Sequence, residues 1–198
     1  MKIIERIKEI IMKPKAAWKV IKDEPSDIKA LYLNYAAPLA LIPAVCSLIG
    51  MTIVGIRMPA GEVMRSPFVP TLIGSAIGYG LSLLGLIIGA WIVKLLAPTF
   101  NSKADLADAF KVVVYSMTPV WLVGIFSLVP GLGILGILGL YAIYLLALGF
   151  PVVLNTPENK VVWFTISIIL VSMVVNFILS AIVFGALYGP MYMQMMAV

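Results

Sequence analysis

No histidine occurs in the 198 residues, and the single cysteine, Cys46, lies inside an apolar run. The first absence removes the commonest general base and the commonest metal ligand. The second excludes a disulfide or a multi-cysteine metal site within one chain. Charge is scarce as well. Only 12% of residues are charged while 62% are hydrophobic, against roughly 25% and about 45–50% in soluble domains. No water-soluble fold of this length hides that much apolar surface, and the length itself fits one domain.

The charges that remain are clustered. Lys2, Arg6, Lys8, Lys13, Lys15, Lys19, Lys22 and Lys29 precede the first apolar run, interleaved with Glu5, Glu9, Asp23, Glu24 and Asp27. Mixed charge at the edge of an apolar run marks a membrane-proximal cytoplasmic segment and not a nucleic-acid groove. The leader is too long for the n-region of a signal peptide, so the first run reads as a retained span.

A helix needs about 20 apolar residues to cross a bilayer. Runs 31–54, 69–96, 112–129, 132–154 and 161–187 meet or approach that length. The third and fourth are divided only by Pro130-Gly131, a turn dipeptide that makes them a tight hairpin. The expected fold is all-α: a polytopic membrane bundle of five transmembrane helices (residues 30–198), preceded by a cytoplasmic amphipathic segment (residues 1–29). With the N-terminus inside, the inner connections hold those eight early basic residues plus Lys94, Lys103, Lys111 and Lys160. The outer ones hold only Arg57 and Arg65. That asymmetry predicts a cell (inner) membrane protein with a cytoplasmic N-terminus and an external C-terminus.

Ile3, Ile4, Ile7, Ile10 and Ile11 recur at helical spacing, giving an amphipathic helix that lies on the membrane or on the bundle until Pro14 interrupts it. Trp18 and Ile21 mark a second short turn, which ends at Glu24-Pro25-Ser26. The inner loop 101–111 is expected to be partly helical, capped by Ser102 with Asp105 completing a capping box.

The five runs contain no Asp, Glu or Arg, and Lys94 can reach the headgroups. A proton-driven pump is therefore not indicated, since buried ionisable groups usually carry such function. Two sets of residues stand out. Gly74, Gly78, Ser82, Gly85 and Gly89 stripe one face of the second run. This is a helix-packing pattern that serves either the bundle itself or a homo-oligomer. Pro38, Pro43, Pro119 and Pro151 remove backbone donors inside the spans, and Pro119 frees the carbonyl of Tyr115. These positions are either simple kinks or the wall of a polar cavity faced by Asn176. Methionines 191, 193, 195 and 196 form either an apolar end or a soft Cu(I) site. No cofactor is assigned.

The order of landmarks resembles the Yip family of membrane proteins, named for interaction with Ypt/Rab GTPases, and its prokaryotic branch in particular. The resemblance rests on Pro14-x-x-x-Trp18-x-x-Ile21-x-x-Glu24, on residues 38–43 with Ile49-Gly50, on Tyr115-Ser116-Met117-Thr118-Pro119, and on residues 144–149 with Pro151. Val114 stands where eukaryotic members usually have glycine, and the long N-terminal domain of those members is missing. The resemblance implies five spans, an N-in/C-out topology and a role in organising membrane or recruiting an as yet unidentified membrane or cytoplasmic protein. Rab binding is not carried over. The expected function is non-enzymatic, with a small passive transporter or channel built on proline-kinked helices as the alternative. The expected partners are the lipid bilayer and that unidentified protein, with a second copy of the chain as a further candidate, and nucleic acid is not expected.

Overall fold

The computed structural model describes residues 3–58 and 61–196, with side chains through Ile182. Five helical segments are long and apolar enough to cross a membrane: Ile28–Val54, Phe68–Phe100, Leu106–Leu128, Pro130–Val153 and Glu158–Ile182. The fold is thus an all-α bundle, as the hydropathy pattern predicts. Two helices precede it, α1 (Ile3–Met12) and α2 (Pro14–Asp23). Between the first two spans a short hairpin pairs β1 (Ile56–Arg57) with β2 (Val63–Met64). The last helix continues to Met196, but the side chains of the methionine run lie outside the described residues.

Three interruptions of regular helix have a local cause. In the first span a π-turn, Tyr32–Ala36, precedes Pro38, and the Ala37 N–H reaches back to the Tyr32 carbonyl. The wide turn shifts backbone pairing just where proline has no N–H to give. The third span pauses at Met117 before Pro119. Pro119 cannot donate to the Tyr115 carbonyl, and the Thr118 hydroxyl takes that place at 2.8 Å.

The fourth span begins as a 3-10 helix over Pro130–Leu140. Its sequence puts Gly133, Gly136 and Gly139 three apart, and residues three apart eclipse in 3-10 geometry. The bare edge faces Val120, Val123 and Gly124 of the third span across a small space of 170 Å³. Eleven residues at about 2.0 Å each reach roughly 22 Å, against about 16 Å as α-helix. The tighter helix lets a short segment span most of the hydrocarbon.

The inner loop departs from expectation. Asp105, not Ser102, caps the third span: its side chain accepts from the Asp108 N–H at 2.7 Å. Ser102 is buried and donates to Thr156 at 2.8 Å, while the Lys103 N–H donates to the Leu154 carbonyl at 2.9 Å. A hydroxyl at this position ties two loops together instead of starting a helix. The expected loop helix and the third span are one element from Leu106 onward, and its residues from Ala109 through Ser116 are all buried, so this stretch is covered on every face and not along one stripe.

Candidate functional site

Buried side chains and buried charges meet at the end of the bundle where α1 and α2 dock. These two helices fold back on each other through Lys13 and lie along the third and fourth spans. Ile10, Trp18 and Ile21 face inward and are fully buried and Ile3, Ile7 and Ile11 are half-buried, whereas Ile4 of the expected stripe is exposed. The order of contacts gives their direction. Lys111 donates to the Ile21 carbonyl at 3.2 Å and to the Glu24 carbonyl. Trp18 packs on Gly149, and the Tyr141 hydroxyl donates to the Ile11 carbonyl at 3.1 Å. The tip of the hairpin therefore points along the spans toward the far side of the membrane, and α1 does not lie flat as an isolated interfacial helix would.

Two cations anchor it. Arg6 and Lys111 each keep only 3% of their surface exposed. Arg6 pairs with Glu9 at 3.2 Å and with Glu24, and its guanidinium lies 5.6 Å from the Tyr115 ring centroid. Lys111 sits 3.9 Å from Asp108 and caps the last carbonyls of α2, where a cation is favoured by the helix dipole. Buried charges need such partners, because desolvating a lone ion costs several kcal/mol.

Beneath Arg6 lies an aromatic and hydroxyl chain. Tyr115 meets Trp18 edge-on at 6.4 Å and Tyr35 at 4.9 Å. Tyr35 and Thr118 are 2.8 Å apart through their oxygens. Thr118 has one hydroxyl hydrogen and spends it on the Tyr115 carbonyl, so Tyr35 is the donor in that pair. The carbonyl freed by Pro119 is thereby occupied and linked to the first span. Above this chain a cavity of 390 Å³ opens between the corner at 24–28 and the third span, lined by Arg6, Glu24, Asp27, Asn34, Lys111 and Tyr115 among others.

The remaining expected residues lie elsewhere. Pro43 packs against Gly124, where an added Cβ would come within 2.5 Å of the proline ring. Pro38 is exposed, and Pro151 is half-buried inside the last turns of the fourth span. Asn176 donates to the Ser172 carbonyl of its own helix and faces Gly85 and Gly89 across a 20 Å³ space, so it does not meet the prolines. Gly74, Gly78 and Ser82 line an open groove of 670 Å³ between the first and second spans, together with Pro43, Ser47 and Tyr79. A Cβ on Gly74, Gly78 or Gly85 would meet nothing within 4 Å, and one on Gly89 would touch only Val113. Close approach within the chain is made instead at Gly50, Gly124 and Gly149. Arg6 and Lys111 were not legible as anchors. The signal available was Arg6 interrupting an isoleucine stripe, and Lys111 flanked by apolar residues.

The fold and this docked end define a class: a five-span helical membrane protein whose N-terminal hairpin is clamped onto the bundle. Trp18, Glu24, Tyr115, Thr118 and Gly149 at this end also belong to the expected signature, while the anchors Arg6 and Lys111 do not. A Yip1 domain matches residues 8–193, and the chain belongs to that family. It is similar to the inner membrane protein YohC of Escherichia coli in each of two strains, at 26% identity over 173 residues, covering 85% of this chain and 89% of that protein. No solved structure matches.

Proposed function

We propose that the protein is a non-enzymatic organiser of the inner membrane, oriented N-in and C-out, that recruits a membrane or cytoplasmic protein at its docked N-terminal end. One observation carries the reading. Five signature residues, Trp18, Glu24, Tyr115, Thr118 and Gly149, converge where the α1–α2 hairpin docks at the end of the bundle, and none of the five lines the groove between the first two spans. Residues 25–27 at the corner between α2 and the first span are exposed at the rim of the cavity. The basic asymmetry supports a cytoplasmic location for this end.

A second reading has its own observation. The 670 Å³ groove between the first two spans carries Ser47, Thr71, Ser75, Tyr79 and Ser82, a polar lining that suits passive passage of a small solute.

One experiment separates the two. A photo-crosslinking residue replaces Asp27, or Ile137 as a lipid-facing control, in living cells, and the purified protein is assayed for solute flux in vesicles. Recruitment gives a discrete adduct at Asp27 only and flux no faster than in protein-free vesicles; an adduct of twice the chain mass makes the partner a second copy. Flux that Gly78→Leu blocks, with no adduct at Asp27, replaces the first reading by the second.

A further inference from the structure

The lipid-facing surface does not end at one level. On the fourth span, exposed apolar residues run from Leu132 to Tyr144 and then stop; residues 145–153 are buried or half-buried. On the fifth span they continue to Trp163 and Val162, 67% and 63% exposed. Phe164, next to Trp163, stacks on Phe150 at 4.3 Å. Trp163 is therefore level with residue 150 of the fourth span. Six residues of helix separate that level from Tyr144, about 9 Å. The second span agrees with the fifth, since Trp91 and Leu95 are exposed near its end and Lys94 folds over the Trp91 ring at 4.9 Å. Exposed tryptophans mark a membrane–water boundary.

The strip missing from the fourth span is where α1 and α2 lie. Their outer surface is not apolar. Lys8, Lys13, Lys15, Lys19 and Lys22 are all exposed there, against exposed Glu5, Glu9 and Asp23. On α2, residues 15, 19 and 22 follow helical spacing and form one row. Ile4, Met12 and Val20 are exposed beside the lysines. A surface of lysines with interspersed apolar side chains, bounded by lipid-facing helices, fits a layer of anionic headgroups with the first part of their chains. Lysine stems lie along apolar surface while their amines reach the phosphates.

We propose that the α1–α2 hairpin is a docking surface for anionic phospholipid headgroups of the leaflet on its own side, and that it draws that leaflet about 9 Å inward beside the third and fourth spans. This deepens the proposed membrane-organising role by naming a lipid class, and rests on that reading only in placing the hairpin at a membrane surface. A protein partner at Asp27 could be absent and the lipid surface still hold.

The test uses full-length protein. In nanodiscs of phosphatidylcholine with a minority of phosphatidylglycerol, the wild type enriches phosphatidylglycerol several-fold in its lipid shell, and high salt weakens the enrichment. The triple variant Lys15→Gln, Lys19→Gln, Lys22→Gln loses that enrichment while melting at the wild-type temperature in pure phosphatidylcholine; the three side chains are exposed, so the fold does not depend on them. Depth is read separately. A fluorophore on Lys13→Cys, in a Cys46→Ala background, is quenched more by headgroup nitroxide lipid than by nitroxide deep in the acyl chain. Equal retention of both lipids, enrichment unchanged in the triple variant, stronger quenching by the deep nitroxide, or no quenching by either would each overturn the proposal.

Discussion

Thr118 shows how one hydroxyl can close a proline break. It donates to the Tyr115 carbonyl and accepts from Tyr35. Thr118→Val keeps the shape and removes both bonds, leaving a carbonyl and a phenol buried without partners at about 1–3 kcal/mol each. Thr118→Ser keeps the hydroxyl. The valine variant should therefore melt well below wild type in detergent, and the serine variant close to it. Equal losses would remove the hydroxyl from the account. Glycines sort the same way. An alanine at Gly149 puts its Cβ 2.9 Å from the Trp18 ring, an overpacking worth about 1–3 kcal/mol. A Cβ on Gly78 meets nothing within 4 Å and opens onto the groove between the first two spans, so Gly78→Leu should leave monomer stability close to wild type. If its face joins two copies, the same change shifts dimer to monomer in size-exclusion chromatography. A stability loss at Gly78 equal to that at Gly149 would contradict the geometry. The stripe's spacing was legible because helical period fixes which residues share a face. What that face meets was not, because period carries no information about a neighbour.

The α1–α2 hairpin packs on the bundle through Ile10, Trp18 and Ile21 and is pinned there by Arg6 and Lys111, so losing a pinning charge should loosen the hairpin before the spans. Arg6→Ala removes the partner of Glu24 and the cation over Tyr115. Hydrogen exchange of residues 3–23 should then speed up by an order of magnitude or more, roughly what a loss of about 1.5–3 kcal/mol from a charged hydrogen bond implies. The second and fifth spans should keep their protection. Uniform loosening of all five spans would mean that the hairpin is part of the core and not docked upon it. The isoleucine period announced α1, and Pro14 announced its end. Its direction along the spans was hidden, because it depends on contacts such as Ile11 with Tyr141, 130 residues apart. The 3-10 segment was half-visible: glycines at 133, 136 and 139 repeat every third residue, a period that drifts round an α-helix but stays on one edge of a 3-10 helix.

For the whole molecule, span number and order were written in hydropathy, since lipid imposes length and apolarity on any crossing helix. Orientation is the remaining global property, and it follows from charge. A reporter fused after Val198 should be active on the side opposite to one fused before Met1, with the N-terminal reporter cytoplasmic. Matching sides would require an even number of crossings and overturn the five-span arrangement. Little in the bundle is shielded by its own chain: the third span is 61% buried along its most apolar window, and the first, fourth and fifth only 17%. Lipid, or another protein, completes the packing of those helices.

The Trp18–Gly149 contact also sets an order of events during synthesis. Trp18 leaves the ribosome long before residue 149 exists, and its docking surface is complete only when the fourth span has been inserted. These helices, made before every span, are thus among the last to settle. Closing so long a loop adds little to the equilibrium cost, because that cost grows only with the logarithm of length, but long-range pairing is slow. Throughout that wait α1 and α2 remain an amphipathic pair without a home, and the nascent chain carries them at the membrane surface until its own fourth span gives them one.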